Sequence, residues 1–228
     1  MKKCKICRIL EIIISLITLF ILLPILFFII IFLRLTNEKK VFFLQERVGK
    51  FGKKFNLIKF VTMYENSPTI GSKSITIKND PRILPYCNIL RKLKINELPQ
   101  LLNIIKGDMS FVGPRPLTEE VLSLYKHDKN KVLSVLPGLT GLGSLIFSDE
   151  EALYPEGKDP IKFYKSIIVP YKLKMELYFL KHNGFKLWFY LILLTIYILI
   201  FKDKRRIWKI FKDLPFPPQE LQKDLDWC

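Results

Sequence analysis

The densest polar chemistry in the sequence lies in Arg91–Pro116, RKLKINELPQLLNIIKGDMSFVGPRP. It offers an adjacent pair, Asn96-Glu97, able to act on an electrophile or hold a cation. It also offers two arginines able to clamp phosphate, Arg91 and Arg115, and a second acidic candidate for a metal contact, Asp108. Local signals predict how these groups are mounted. Asn96 reads as the N-cap of a helix, with Glu97 as its first residue and Pro99 tolerated in its first turn. Leu98, Leu101, Leu102 and Ile105 then recur at helical spacing, and Gly107 stands where a left-handed residue ends a helix. Met109–Val112 is a short apolar piece, and Gly113-Pro114-Arg115-Pro116 is a stiff turn that holds Arg115 on a rigid mount. A helix N-terminus with a carboxylate, set near fixed arginines, suits phosphate and a metal ion. Residue by residue, an ordinary capped helix followed by a tight turn reads equally well.

The elements that must position this window emerge from the rest of the chain. Its 228 residues support one modest domain plus membrane segments. A hydrophobic fraction of 50% with a net charge of +16 points to a membrane and anionic partners. Zinc-finger spacing, a basic helix-turn-helix pattern and aromatic-basic RNA motifs are missing, and the basic residues crowd beside apolar runs. Lipid headgroups are therefore favoured over nucleic acid. The cysteines are scattered, and Cys4 and Cys7 form a C-x-x-C with no second pair to complete a zinc site.

The run Ile9–Leu33, interrupted by Glu11, Ser15, Thr18 and Pro24, exceeds the roughly 20 residues a spanning helix needs and lacks a following small-residue cleavage site. Lys2, Lys3, Lys5 and Arg8 precede it, and Arg34, Lys39 and Lys40 follow it. A straight span would leave one basic flank on the wrong face, whereas a helix broken at Pro24 and leaving by the leaflet it entered satisfies both. A proline-kinked span is the alternative. VFFLQ and FNLIKF read as strands around a glycine turn, whose Arg47 and Lys59 either touch a diphosphate or belong to an exposed basic hairpin. Residues 64–79 read as loop, and a helix is predicted through Thr118–Lys131 with His127 on its solvated side. Asp149, Glu150 and Glu151 form either a helix N-terminus or a metal contact. Phe163–Lys181 is a charged amphipathic helix. Leu187–Phe201 is apolar but short for a span, so an in-plane or oblique helix anchored by Trp188 and Tyr190 is expected, a second span being the alternative. The basic tail from Lys202 to Lys212 reads as a membrane-surface segment.

Taken as a whole, the Arg91–Pro116 string resembles the bacterial sugar transferase family, the small monotopic phosphoglycosyl transferases, whose central signature reads much like DELPQL…GDMSFVGPRP. Gln45, Arg47, Gly49, Lys59 and Met63 match the family's opening of the soluble part. Asp80-Pro81-Arg82-Ile83, Pro137–Gly141 and YKLKMELYFLKHNG are similar to later motifs, with Glu176 where an Asp is common. Arg8 and Glu11 stand at the basic and acidic positions before the membrane dip. The resemblance implies an α/β monotopic membrane protein. A proline-broken re-entrant helix (1–36) would precede a small cytosolic α/β catalytic domain (37–184) flanked by amphipathic helices, with an apolar membrane-associated helix and basic tail (185–228). It implies the bacterial plasma (inner) membrane, with the catalytic domain on the cytoplasmic face.

The implied reaction moves a sugar-1-phosphate from a UDP-sugar to undecaprenyl phosphate with Mg2+, releasing UMP, at the start of exopolysaccharide, O-antigen or glycoconjugate assembly. Downstream glycosyltransferases would be further partners. By resemblance Asn96 and Glu97 are catalytic, Arg91, Arg115, Lys59 and Arg47 bind substrate phosphate, Glu97 and Asp108 hold the metal, and Arg8 and Pro24 serve the membrane. Two departures stand out. Asn96 occupies the position of the family's nucleophilic aspartate, and an amide oxygen is neutral and a far poorer nucleophile. Leu142-Gly143-Ser144 replaces the usual W-A-Q. Glu97 then acts as nucleophile or as base for direct attack by the lipid phosphate, or the mechanism has shifted, or the chain is a catalytically silent membrane scaffold.

Overall fold

The computed structural model describes residues 5–35, 39–67, 75–155, 157–182 and 184–227. Lys2, Lys3, Cys4, Cys228 and residues 68–74 of the expected 64–79 loop lie outside them. The chain is a mixed helix-and-sheet structure with one N-terminal apolar helix that fits a membrane anchor. That helix, α1 (Lys5–Arg34), carries a stretch Cys7–Arg34 long and apolar enough to cross a membrane. Pro24 has no N–H to offer the carbonyl one turn back, yet the helix continues past it as a single element of 30 residues, about 45 Å at the usual rise.

Next comes a hairpin of β1 (Phe42–Val48) and β2 (Lys54–Phe60), antiparallel, with Phe43 opposite Lys59 and Arg47 opposite Phe55. The short helices α2 (Asn88–Lys92) and α3 (Gln100–Lys106) follow. Then β3 (Ser110–Val112) pairs in parallel with β4 (Gly138–Thr140), and α4 (Glu119–Ser123) and α5 (Lys129–Val132) lie between them. After β4 come α6 (Leu142–Ile146), α7 (Pro160–Phe163), a π-helical turn at Tyr164–Ile168, and α8 (Val169–His182). The apolar α9 (Phe185–Phe201), α10 (Arg205–Ile210) and α11 (Gln219–Gln222) close the described chain.

Several expectations need correction. The helix predicted through Thr118–Lys131 is broken: Thr118 caps α4, but Lys126 takes φ +48°, which no α-helix accommodates. Trp188 is not an interfacial anchor but a buried residue, donating from Nε1 to Glu11 at 3.1 Å. The basic tail is not only a surface segment, because Ile207 is buried in the main core and Lys204 pairs with Asp149 at 3.1 Å; beyond it Leu214, Leu221 and Leu225 join the same core. That core runs from Val112 to Leu225 and packs α6, α8 and α9 together.

Glu11 ties the membrane helix to this body. Its carboxylate is fully buried and accepts from Ser110 Oγ, from the Phe111 backbone N–H at 3.2 Å and from Trp188, while Arg8 lies 3.5 Å away. Arg8 in turn donates to the carbonyl of Ile104 in the last turn of α3, where a helix leaves its last acceptors without partners, and to that of Met109 just beyond it. At its other end α1 buries Leu33 against Phe60, Val61, Leu84 and Cys87. Both ends of α1 thus rest on one body, and Phe20, Ile21 and Phe28 between them stay exposed.

The Gly113-Pro114 turn and the Pro137–Gly141 turn pass so closely that a Cβ on Gly138 would stand 2.1 Å from the Gly113 nitrogen. Only glycines permit this approach, and Gly113 also lies against Gly141 at the start of α6.

Candidate active site

Asn96 and Glu97 sit in a 3-10 turn, Ile95–Glu97, entered through Lys94 in the left-handed region (φ +57°). This corrects the predicted cap. The α-helix starts only after Pro99, and the Asn96 side chain caps nothing. Instead the Asn96 side chain is buried with its Oδ1 lacking any hydrogen-bond partner. Gly107 does end α3, at φ +96°.

The turn opens onto a cleft of about 1660 Å³. Arg115 Nη2 donates to Glu97 Oε1 at 2.8 Å, and Lys59 Nζ lies 3.6 Å from the same oxygen. Among the described residues Oε2 of Glu97 accepts no hydrogen bond. Burial pushes the Glu97 carboxyl up, but Arg115, Lys59 and Lys94 outweigh it and hold the group well below the usual carboxylate range. It is ionised at any physiological pH. Lys59 is pushed the other way: burial, opposed by Glu97 and reinforced by the neighbouring arginines, brings its ammonium down to about 8.

Arg47 reaches the cleft from β1, donating to the Pro116 carbonyl at 3.2 Å and to Gln45 Oε1 at 2.6 Å, with Nε left unpartnered. Arg91 reaches it from α2, held by the hydroxyls of Thr62 and Thr76 at 3.3 and 3.2 Å. The structure therefore brings Asn96, Glu97, Arg91, Arg115, Lys59 and Arg47 to one cleft.

Asp108 does not join them. It lies beyond the far end of α3 and off the cleft wall, its Oδ2 at 3.5 Å from Asn103 Nδ2. Arg8 is likewise on the α3 carbonyls rather than at the cleft, and Pro24 lies midway along α1. Asp149, Glu150 and Glu151 do line the cleft, but Asp149 pairs with Lys204, and Glu150 bonds Lys172 and accepts from Tyr154. His127 is exposed, as predicted.

No cluster of three or more His, Cys, Asp or Glu able to hold a metal occurs among the described residues. This does not exclude Mg2+, which usually binds through one or two carboxylates, water and substrate phosphate. Glu97 Oε2 and the unpartnered Asn96 Oδ1 fit that pattern.

Sequence reading missed some members of the site. Lys94 lies inside the Arg91–Pro116 string and Thr62 beside the matched Met63, yet neither they nor Thr76 carry a signal that assigns them to the cleft they line. Ser144 and Glu176 do so as well; Glu176 was marked only by its match to a common Asp.

The model of the family described as bacterial sugar transferase matches residues 2–202. The chain belongs to that family. It is 34% identical over 146 residues to Exopolysaccharide production protein ExoY of Sinorhizobium fredii, covering 58% of this chain and 65% of the relative. It is 44% identical over 117 residues to a sugar transferase, EpsL, of Bacillus subtilis, covering 51% and 56%. It is 40% identical over 111 residues to an undecaprenyl-phosphate galactose phosphotransferase of Salmonella typhimurium, covering 42% and 23%. In each case the chain spans less than two thirds of the relative's length.

Proposed function

We propose that this chain transfers a sugar-1-phosphate from a UDP-sugar to undecaprenyl phosphate, releasing UMP, as the first membrane step of polysaccharide assembly. The observation that carries the reading is Glu97: an ionised carboxylate, gripped on one oxygen by Arg115 and Lys59, beside Arg47 and Arg91 in one cleft. Such cations have no use for one another except around a larger anion, and a diphosphate supplies it.

Glu97 is the nucleophile in this reading. It attacks the β-phosphorus, the bond from that phosphorus to the bridging oxygen breaks, and UMP leaves with the electron pair. The lipid phosphate then takes the phosphosugar from Glu97 and restores the carboxylate. Its depressed pKa makes Glu97 a poor base, and a phosphate monoester is largely ionised at neutral pH without one. Arg115, Arg47 and Arg91 hold the phosphates, and Asn96 offers a neutral oxygen. Glu97 and Asn96 are the residues that would hold Mg2+, which would supply neutralisation of the diphosphate charge.

Undecaprenyl phosphate approaches from the apolar end of the cleft, where Ile14 and Thr18 of α1 and Ile192, Ile196 and Leu199 of α9 form the wall. The docking of both ends of α1 on one body supports a re-entrant placement, entering and leaving by the cytoplasmic leaflet of the plasma membrane with a bend at Pro24. That placement sets the catalytic cleft on the cytoplasmic face, where downstream glycosyltransferases could collect the product.

The relatives' names support the substrates: one is called an undecaprenyl-phosphate galactose phosphotransferase, another a UDP-galactose-lipid carrier transferase. A second reading, a silent scaffold, rests on Asn96. UMP release separates them, measured in nanodiscs with undecaprenyl phosphate, Mg2+ and a panel of UDP-sugars. Release by the natural chain, lost in Glu97→Gln, supports the transferase. Release only by Asn96→Asp supports the scaffold.

A further inference from the structure

The cleft lining also includes polar residues, Glu176 and Ser144, that the transfer of phosphate does not use. Glu176, on α8, is 4% exposed; its Oε1 accepts from the Arg115 backbone N–H at 3.4 Å and its Oε2 has no partner. Ser144, on α6, also lines the cleft with its Oγ shielded and unpartnered. Gly143 precedes it, and a Cβ there would stand 2.7 Å from Glu176 Oε1, so the carboxyl occupies the space a side chain at 143 would fill. A buried donor or acceptor left unmatched is costly, and two on one wall point to a ligand that matches both.

We propose that the Glu176 carboxyl and the Ser144 hydroxyl form the subsite that reads a hydroxyl group of the donor sugar. The inference rests on the transferase reading above. Arg115 fixes the place: its guanidinium holds Glu97, where the β-phosphate reacts, and its backbone holds Glu176. The group attached to the β-phosphate on the side that is transferred is the sugar. The chemistry agrees. Burial, only partly offset by the Arg115 amide, Lys172 and the Arg115 charge, raises the Glu176 carboxyl to about 8, so it is mostly protonated at neutral pH. A protonated carboxyl beside a hydroxyl repels no phosphate but selects an uncharged group that both donates and accepts, as a sugar hydroxyl does. A site built around such a bond discriminates strongly against the analogue that cannot make it.

The test is calorimetric titration of the full chain in nanodiscs at neutral pH, without undecaprenyl phosphate. UDP is compared with UDP-glucose, UDP-galactose and their two N-acetylated amino-sugar counterparts. The natural chain is expected to prefer one of them. Ser144→Ala and Glu176→Leu should each weaken that preferred ligand about tenfold or more and flatten the preference, with UDP affinity changed less than about twofold. Glu176→Gln, which keeps size and a donor, should retain most of the preference and shows that the fold tolerates a neutral group there. An unchanged preference in Ser144→Ala and Glu176→Leu overturns the subsite while leaving the transferase reading intact. So does an equal loss of UDP affinity, which would place these residues on the nucleotide. If the natural chain binds neither UDP nor any UDP-sugar, the transferase reading fails and the subsite fails with it.

Discussion

Replacing Glu97 by glutamine should tighten UDP while abolishing turnover. The carboxylate competes with substrate for its own cations: Arg115 donates to it at 2.8 Å and Lys59 stands at 3.6 Å. A phosphate oxygen taking the same guanidinium would lie about 5–6 Å from Glu97, and at an effective dielectric of about 40 each unit of like charge there costs roughly 1.5 kcal/mol. Glutamine keeps the shape and removes that repulsion, so UDP should bind about tenfold tighter. The measurement belongs in EDTA, so that no divalent ion screens the pair, and near pH 6.5, because Lys59 loses a supporting charge along with Glu97. In the same variant UMP release should fall by about two to four orders of magnitude, since an amide cannot serve as nucleophile. Unchanged or weaker UDP binding in EDTA would mean that Glu97 does not face the phosphates, and the site as drawn would be wrong. UMP release within a few-fold of the natural chain would remove Glu97 from the chemistry.

The Lys59 ammonium, brought down to about 8, should make UDP binding weaken as pH rises from 7 to 9, a trend that Lys59→Met must lack. Stability runs the opposite way in that region. Between about 8 and the ordinary 10.5 the unfolded chain holds a proton the folded chain has lost, so Lys59 adds up to about 3 kcal/mol as pH rises, readable by denaturant unfolding of natural chain against Lys59→Met. Glu97 contributes at the acid end, its stabilisation complete above the ordinary carboxylate range and lost as pH falls below it. Glu11→Ala strips the acceptor from Ser110, Phe111 and Trp188 and should cost about 3–5 kcal/mol in the same unfolding assay; a loss under 1 kcal/mol would show that α1 is not held by this knot. Gly143→Ala should cost about 1–3 kcal/mol by crowding Glu176, and adding Glu176→Asp should recover part of it; strictly additive losses would refute the crowding.

How far the site was legible in the sequence depended on whether a residue acts through local or distant neighbours. Gly107 and the hairpin around Arg47 and Lys59 follow from turn chemistry and alternation, and both were readable. The cap at Asn96 was misread because the local pattern of a polar residue, a carboxylate and a proline fits an α-helix start as well as it fits a 3-10 turn. What decides between them is Lys94 in the left-handed region, and a lysine there carries no sequence signal. Asp108 has the right chemistry in the right motif but the wrong end of α3, which spacing along one helix conceals. Trp188 reads as an interfacial aromatic until its partner is known. That partner is Glu11, 177 positions away, and no local pattern can show such a contact. Arg8 at the α3 carbonyls is hidden for the same reason.

The unpartnered buried atoms bear on whether Asn96 marks an abandoned site. Arg47 Nε, Asn96 Oδ1, Ser144 Oγ and Glu176 Oε2 all belong to residues that line the cleft, whereas Gln100 Nε2 does not. Each such atom left dry costs about 1–3 kcal/mol, and a chain with no ligand to match them would gain by replacing any of the side chains with an apolar one. Asparagine itself is informative here. Had position 96 only to fill space beside Leu98, an apolar residue would pack there at no polar cost; an amide keeps an oxygen pointed where an oxygen ligand or a donor is wanted, without the negative charge that Glu97 already supplies. On the proposed function, ligand binding is therefore shared among several residues at once. Chemistry rests on fewer: Glu97 is a cleft carboxylate paired with both Arg115 and Lys59, and the separation of binding from turnover in Glu97→Gln is what tells a working transferase from a protein that only holds its substrate.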